Sequence, residues 1–554
     1  MKIILDIETN LAHDTIWCAV TKDIDTGEVK VWKDSVNIAD YLSQCEMIIM
    51  HNGVSFDAPV MNRVWGTKIK LSQCFDTLLV SRLCNASREG GHALAAWGET
   101  MKFPKGDFTD FEGGLTEEML TYCIQDVNLT HRVYEALCSE LVKFKISEQA
   151  VEIEHKVQAI ISEQERNGFK LDVPYSQTLL CQIRTEMSKI EEALQQVFPP
   201  IITSRFSEKT GKQLKDNVEV FNLGSRQQIA KRLMEKGWKP EKHTEKGQII
   251  VDDSILDALE IPEAKPIARY LMLQKRAAQL DSWLEHLGDD ERVHGKVITF
   301  GAVTGRATHS APNMAQIPAV RAPLGKEFRS CWIVDKGNVL VGTDLSGIEL
   351  RCFAHYLNDK DYTDAVVYGK SEDGTDVHTR NQKAFGVATR DLAKTVLYAT
   401  LYGASPSKVG TIVGASAREG QIIINNFQKA VPAYKTLKEK VERMAEKGSL
   451  PGIGGYRLQV RSAHSALNTL LQSAGAIIAK VWLIQIKKNL TKAKIPYKLV
   501  AWVHDEVQIE CPNQYGEQVG KLVVQSANEC EAILDFRCPI DASYKIGNNW
   551  SDCH

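Results

Sequence analysis

The sequence predicts a multidomain chain of mixed α/β and α+β class. Three observations carry that reading. At 554 residues the chain exceeds what one core organises, and its length suggests roughly three or four domains. Apolar strand-like runs that end in carboxylates occur at Met1–Ile7, at Asn338–Thr343 and again at Tyr497–Val503. Segments between them carry apolar residues at helical spacing, as in Met119, Leu120, Cys123, Ile124 and Val127.

Composition narrows the class. The chain is 44% hydrophobic and 25% charged, without a low-complexity tract or short repeat, as expected of a soluble globular protein. No run approaches the ~18 uninterrupted apolar residues of a membrane helix, so no membrane association is expected. The N-terminus opens directly on strand-like Met1–Leu5, so a signal peptide is not expected. Thirteen cysteines without a CxxC pair predict reduced thiols in a cytoplasm, not a disulfide framework or a zinc site. The net charge of −3 does not exclude a nucleic-acid partner, because binding depends on local basic surfaces. Arg205–Lys246 holds eleven basic residues against six acidic ones, which fits either phosphate contact or a solvated helical face.

Met1–Ile7 reads as a buried strand running into Asp6-Ile7-Glu8. Side chains alternate along a strand, so Asp6 and Glu8 share a face about 7 Å apart, a natural ligand pair for a hard cation. Asp57 follows the apolar run Met47–Met50, and Tyr122 and Asp126 lie four apart on a helical pattern. Four acids and a phenol gathered in this way could hold two metal ions. One would activate water and the other would stabilise the leaving oxygen of a phosphodiester, with Tyr122 orienting the water.

A second set lies downstream. Asn338–Thr343 leads into Asp344, and His504-Asp505-Glu506 interrupts two apolar runs, which suggests a hairpin with its acids at the bend. Carboxylates there are costly without a cation or a basic partner. Asp344 and Asp505 would form a two-metal site for phosphoryl transfer. Between them Arg390, Lys394 and Tyr398 fall at i, i+4 and i+8, and Tyr402-Gly403 ends the helix. A triphosphate laid along that stripe would meet two cations and then an aromatic ring.

The first set, with all four acids and the tyrosine in order, resembles the DEDD-type 3′→5′ exonucleases of the Y-subtype over roughly residues 1–143. Asp344, the R-x₃-K-x₃-Y helix and His504-Asp505-Glu506 resemble motif A, the fingers helix and motif C of family A DNA polymerases. The group most resembled is the replicative type of the T-seven-like, short-tailed phages. Supporting stretches are Glu165-Arg166-Asn167-Gly168-Phe169, Thr304-Gly305-Arg306-Ala307-Thr308-His309, Leu467–Ser473, and Asn549-Trp550 through Cys553-His554.

The resemblance implies an RNase H-like exonuclease domain followed by a right-hand polymerase of thumb, palm and fingers. The expected bounds are exonuclease 1–143, thumb 144–292, palm 293–357 and 466–554, and fingers 358–465. It implies DNA-templated extension of a primer 3′-hydroxyl with dNTPs, together with proofreading. Each active site would use two Mg²⁺ ions, with Mn²⁺ as a possible substitute. Arg306, Gln316, Asn468, Gln472 and His504 would contact primer–template DNA, and Ser225, near Asn222, would grip the product duplex. Arg390, Lys394, Tyr398 and His378 would bind the dNTP. Glu349 would form the sugar gate with the aromatic ring of the fingers helix, and Tyr402 would hold the template side. A tyrosine at 398 implies ready acceptance of dideoxynucleotides. Glu506 beside Asp505 either ligates metal or tunes the hairpin.

Two departures from the family carry expectations of their own. The chain starts at the exonuclease, without the 5′-nuclease of bacterial relatives. The Val197–Asn222 segment is too short for the insertion that recruits thioredoxin, so thioredoxin dependence is not expected. A monomer in the host cytoplasm, with a phage primase-helicase and single-strand-binding protein as partners, follows by analogy. The rival reading is an exonuclease whose vestigial polymerase domain only binds DNA.

Overall fold

The structure, a computed structural model, describes residues 1–460 and 462–553. His554, the last residue of the C-terminal resemblance, therefore lies outside the described residues. By contacts the chain divides into two units. The first comprises Met1–Gly168, Gly295–Ile317 and Val334–His554, and the second Phe169–His294 and Pro318–Ile333.

The first unit begins with a five-stranded sheet. Strands β1 (Lys2–Thr9), β2 (Ile16–Asp23), β3 (Val29–Trp32), β4 (Met47–Met50) and β5 (Cys74–Asp76) lie in the order β3-β2-β1-β4-β5. β1 is antiparallel to β2 and parallel to β4. It is covered on both faces, which explains why its sequence is almost continuously apolar. Ile3, Leu5 and Ile7 pack with Ala58 and Met61 of the helix Asp57–Val64. Ile4 packs on the other face, with Leu120, Cys123 and Val127 of the helix Glu117–Phe144. Asp6 and Glu8 share the face of Ile4 by strand alternation, so they are directed toward the helix that bears Tyr122 and Asp126.

The same unit holds a four-stranded antiparallel sheet in the order Lys498–Val503, Glu506–Pro512, Asn338–Leu345, Ala542–Gly547. Its register pairs Asp344 with Glu506 on one side and with Ser543 on the other. The helices Ala466–Lys492 and Gly516–Leu534 pack against each other beside it. Ala463–Lys492 is long and apolar enough to cross a membrane, yet 89% of its apolar window is buried inside the fold. Its apolar character belongs to a core helix surrounded on all sides.

In the sequence reading the helix Glu148–Asn167 is grouped with the thumb. It belongs to the first unit because its inner face is tied there. Glu154, 1% exposed, accepts hydrogen bonds of 2.6 Å from Lys480 Nζ and 2.6 Å from Tyr456 Oη. The Lys480 ammonium also lies 4.6 Å from the centre of the Phe300 ring.

Between the two parts of the second sheet runs a set of short helices, including Val377–Phe385 and Arg390–Leu401. Each begins at a side-chain cap: Asp376 accepts from the His378 N–H and Thr389 from the Leu392 N–H. Gly403, at φ 80°, supplies the left-handed turn just beyond the second helix.

The second unit is built on the helices Val173–Val197 and Ala264–Glu285, which pack on each other, and a three-stranded sheet of Trp332–Ile333, Phe169–Leu171 and Arg292–Val293. A hairpin, Ile201–Phe206 with Gln213–Glu219, fills the short segment after Val197 and leaves Ile202 and Val218 exposed as cross-strand partners. Ser225 caps the helix Arg226–Glu235 through the Gln228 N–H.

Candidate active sites

The first sheet and its helices bring all five predicted side chains into one cluster. Burial is the main cause of the electrostatics there, with mutual repulsion behind it. Burial, then Asp126, pushes the Asp6 carboxyl up to about 7. Burial, then Asp6 and Asp126, pushes Glu8 up to about 10. Asp57 is raised well above the carboxylate range by burial and by Asp6, and Asp126 is raised by burial. Asp126 is 2% exposed and its Oδ1 has no hydrogen-bond partner among the described residues.

Two residues in this cluster were not singled out from the sequence. Lys105 Nζ lies 2.8 Å from Asp126 Oδ2 and 5.0 Å from the centre of the Tyr122 ring. It comes from the coil after the helix Leu94–Thr100, where no pattern marks it. Asp76, fully buried, accepts from the backbone N–H groups of Asn52 and Val54 at 3.0 Å each and also caps the helix Thr77–Cys84. These bonds fix the turn that delivers Asp57. The Asp76 N–H in turn donates to His155 Nε2 at 2.7 Å, so that ring carries its proton on Nδ1, toward the Val151 carbonyl. One aspartate thus both caps a helix and positions a carboxylate of the cluster.

The second cluster is more open. Asp344 is exposed at the end of its strand, and the Leu345 N–H donates to the Asp505 carbonyl at 3.0 Å, which sets the two acidic residues side by side. His504 takes φ 58° at the hairpin bend. Burial raises the Asp505 carboxyl, while His504 and Arg306 oppose the shift. Glu506 turns inward: its Oε1 accepts from Gln508 Nε2 at 2.8 Å and from Trp550 Nε1. That engagement favours the tuning role over metal ligation for Glu506. A cleft of about 180 Å³ lies beside the hairpin, lined by Arg306, Glu349, Gly475, Trp502, His504 and Asp505 among others.

Arg390, Lys394, Tyr398 and Tyr402 follow one another along the fingers helix, while Ala393, Val396, Leu397 and Thr400 are buried. Arg390 is engaged by Asp376, whose Oδ1 accepts from Nε at 3.1 Å and Nη2 at 2.9 Å. Burial alone would raise Asp376, but bonds from Arg390, Thr379 and the His378 N–H bring it down to about 2. His378 Nδ1 is buried without a partner. Glu349 is held by Tyr402 and Arg306, with Tyr398 close by. Its carboxylate accepts from Tyr402 Oη at 2.8 and 2.6 Å and faces Arg306 at 3.5 Å, so the hydroxyl at the helix end reaches it and Tyr398 does not hydrogen-bond it. Asn468 and Gln472 lie half-buried four residues apart on the helix Ala466–Lys492, and Gln316 is exposed in a short 3₁₀ turn.

The profile of DNA polymerase family A matches residues 201–552. Over the whole length of both chains the sequence is 31% identical to the DNA-directed DNA polymerase of Escherichia phage T7, and equally to that of Enterobacteria phage T3. The chain belongs to DNA polymerase family A. Bacterial members are also similar, among them the DNA polymerase I of Aquifex aeolicus, 29% identical over 59% of this chain and 58% of its own. The same fold occurs in the POL domain of Pol1 from M. smegmatis, solved in complex with DNA primer-template and dNTP. That structure superposes with a TM-score of 0.79 at 20% identity, covering 100% of this chain and 95% of that one. The alignment with the phage T7 enzyme runs over 715 positions against 554 residues here, so that relative of this polymerase carries segments the chain lacks.

Proposed function

We propose that this family A polymerase extends a DNA primer on a template at Asp344 and Asp505, and removes 3′-terminal nucleotides at Asp6, Glu8, Asp57 and Asp126. The observation that carries the reading is the presence of two separate carboxylate clusters in one chain, each with its own positioning groups. Both clusters offer oxygen donors that suit a hard cation such as Mg²⁺, with Mn²⁺ as a substitute. The unpartnered, buried Asp126 Oδ1 fits that use, since a bare carboxylate oxygen in such surroundings is costly without a counter-charge. Divalent ions held there would activate the attacking oxygen and stabilise the leaving one.

The remaining work belongs to the chain's own side chains. Arg390 and Lys394 give a triphosphate two cations one helical turn apart. Binding it requires Arg390 to exchange Asp376 for phosphate, a swap of one anion for another. Glu349, fixed by Tyr402, closes the space beside the sugar, and Tyr398 bounds it on the helix side. Arg306, Gln316, Asn468, Gln472 and His504 would contact the primer–template, and Ser225 the product duplex. At the other cluster Tyr122 orients the attacking water. Lys105 opposes the burial that raises Asp126.

The division into exonuclease 1–143, thumb 144–292, palm 293–357 and 466–554, and fingers 358–465 is part of the same reading, with Glu148–Asn167 packed inside the first unit. We place the enzyme in phage genome replication in the host cytoplasm, as a monomer. Primase-helicase and single-strand-binding proteins are its partners, and thioredoxin is not.

The test uses a 5′-labelled primer–template and Mg²⁺, with and without dNTPs. Asp505→Ala should lower extension by about a thousandfold, ~4 kcal/mol of transition-state stabilisation, and leave shortening intact. Asp6→Ala should do the reverse. A wild type that shortens the primer but never extends it would assign the chain to the rival class, a nuclease that binds DNA through its polymerase fold.

A further inference from the structure

On the outer side of the helix Glu117–Phe144 lies a further cleft, of about 580 Å³, that neither carboxylate cluster uses. Asn128, His131, Arg132 and Glu135 line it. They fall at i, i+3, i+4 and i+7, one stripe turned away from the buried stripe of Asp126, Val127, Thr130 and Val133. Lys22 closes the cleft from β2, and Phe103 closes it from the coil after the helix Leu94–Thr100. Lys22 Nζ donates to Asn128 Oδ1 at 2.9 Å. The Arg132 guanidinium lies over the Phe103 ring, 3.9 Å from its centre, and Phe103 packs in turn against the core under the helix. Among the described residues neither Lys22 nor Arg132 has a carboxylate within ion-pair distance. Glu135, the acid of the lining, is exposed and lies 3.8 Å from His131 Nε2.

We propose that this cleft binds one nucleotide unit, with Lys22 on its phosphate and its base stacked on the open face of Arg132. Two cations without an acid partner leave an anion as the occupant that balances them, and the half-buried ammonium of Lys22 gains most from one. A guanidinium is planar and weakly hydrated, so with Phe103 on one side its exposed face is a platform for another π-system. Stacking of a base on such a plane is a general way of holding unpaired nucleotides. The volume is that of a small-molecule site. Burial and Lys22 lower the His131 pKa, so near neutral pH its ring is uncharged. With the Asn128 amide and the Glu135 carboxylate it offers donors and acceptors to a base edge. A bare phosphate would use Lys22 and leave the platform idle. Neither a metal ion nor the acids of the N-terminal cluster take part in this binding, which is therefore independent of the proposed exonuclease activity.

A free nucleotide and a nucleotide within a single strand present the same chemistry, and competition separates the two. Full-length protein is dialysed to equilibrium against labelled dAMP in the presence of chelator, which keeps divalent ions off both carboxylate clusters. dAMP should bind at one equivalent, with its affinity lowered at least about tenfold in Arg132→Ala and in Lys22→Met. Arg390→Ala, which alters the triphosphate stripe, should leave that affinity as it is. Primer extension by the Arg132 and Lys22 variants shows that they are folded. Deoxyadenosine and inorganic phosphate should each compete at least about tenfold less well than dAMP, since each supplies only half of the recognition. Absence of saturable binding, binding indifferent to Arg132→Ala and Lys22→Met, or inorganic phosphate competing as well as dAMP overturns the proposal. A short oligodeoxyadenylate that displaces labelled dAMP at a lower nucleotide concentration than dAMP itself identifies a single strand as the natural occupant. Displacement only at equal or higher concentration identifies the free nucleotide, and in both cases the site stands.

Discussion

In the N-terminal cluster four acids lie between a sheet and its helices, with Lys105 as an internal cation. At the second cluster Asp344 is exposed on a strand end, and Asp505 sits at a hairpin bend beside an open cleft. The environments differ as much as the chemistry is alike. The enclosed acids hold their protons far above the usual carboxylate range, Asp6 to about 7 and Glu8 to about 10, because burial and repulsion act together. The open pair has fewer neighbours to repel and two basic residues, His504 and Arg306, to oppose burial. An enclosed site suits a flexible single-stranded end, and an open one must admit a rigid duplex. The enclosed site is accordingly the one expected to bind a cation in a pH-dependent way.

The largest expected effect tests whether the two regions are mechanically independent. Glu154 and Lys480, 1% and 0% exposed, join the helix behind Asp76 to the helix that carries Asn468 and Gln472. Removing one partner strands a buried charge, so Lys480→Ala should cost about 3–5 kcal/mol. Lys480→Met combined with Glu154→Leu should recover most of it, since an apolar pair of similar volume does without the charges. Extension and 3′ shortening, followed against urea, should fail together and earlier in the single variant. Separate midpoints would show that the sites rest on independent foundations.

The next effect concerns protons. Unfolded carboxylates titrate near ~4, and a folded value raised above that favours the protonated form in the native state. The stability this contributes is complete below pH ~4 and declines as pH rises through about 7 for Asp6 and about 10 for Glu8. A cation must displace those protons, so between pH 6 and 9 the Mg²⁺ needed for half-maximal shortening should fall by up to about tenfold per unit. The Mg²⁺ requirement of extension should change less. Equal slopes from parallel titrations of one preparation would erase the contrast between the sites.

A smaller effect isolates the internal cation. Lys105 must leave Asp126 before a second positive ion can use that oxygen fully. Lys105→Met removes the competitor, and the half-saturating Mg²⁺ for shortening should drop about three- to tenfold, on the order of 1 kcal/mol. A rise instead would mean that Lys105 organises the acids and does not compete for them.

The sequence made much of this visible because the carboxylates interrupt apolar strands. A buried strand tolerates few exceptions, so Asp6-Ile7-Glu8 and His504-Asp505-Glu506 stand out wherever the core is read. The stripe from Arg390 to Tyr402 is legible for the same reason, since helical spacing fixes which residues share a side. Lys105 and Asp76 were hidden because each acts through a contact with a distant element, and neither breaks a local pattern. The helix Glu148–Asn167 kept its packing partner hidden on similar grounds. Its amphipathic spacing predicts a helix equally well wherever it packs, and only the Glu154–Lys480 pair decides the place. The hydrogen bond from Tyr402 to Glu349 was hidden too, because it joins elements far apart in sequence.

That last contact gives the smallest and most local prediction. Tyr402 donates to both oxygens of Glu349 at a half-exposed position, so the bond contributes about 1 kcal/mol at most. Tyr402→Phe leaves Glu349 with Arg306 alone, 3.5 Å away, and loosens the carboxylate that crowds the sugar. Competition between dNTPs and rNTPs on one template should then show ribonucleotide incorporation rising about two- to fivefold, the scale of that bond. Primer shortening should not change, because nothing in the enclosed cluster touches this pair. Should Tyr402→Phe keep the wild-type ratio while Glu349→Gln relaxes it, the carboxylate discriminates without the hydroxyl. The bond would then belong only to the state before DNA and nucleotide bind, and the open site would owe its selectivity to fewer fixed contacts than the enclosed one.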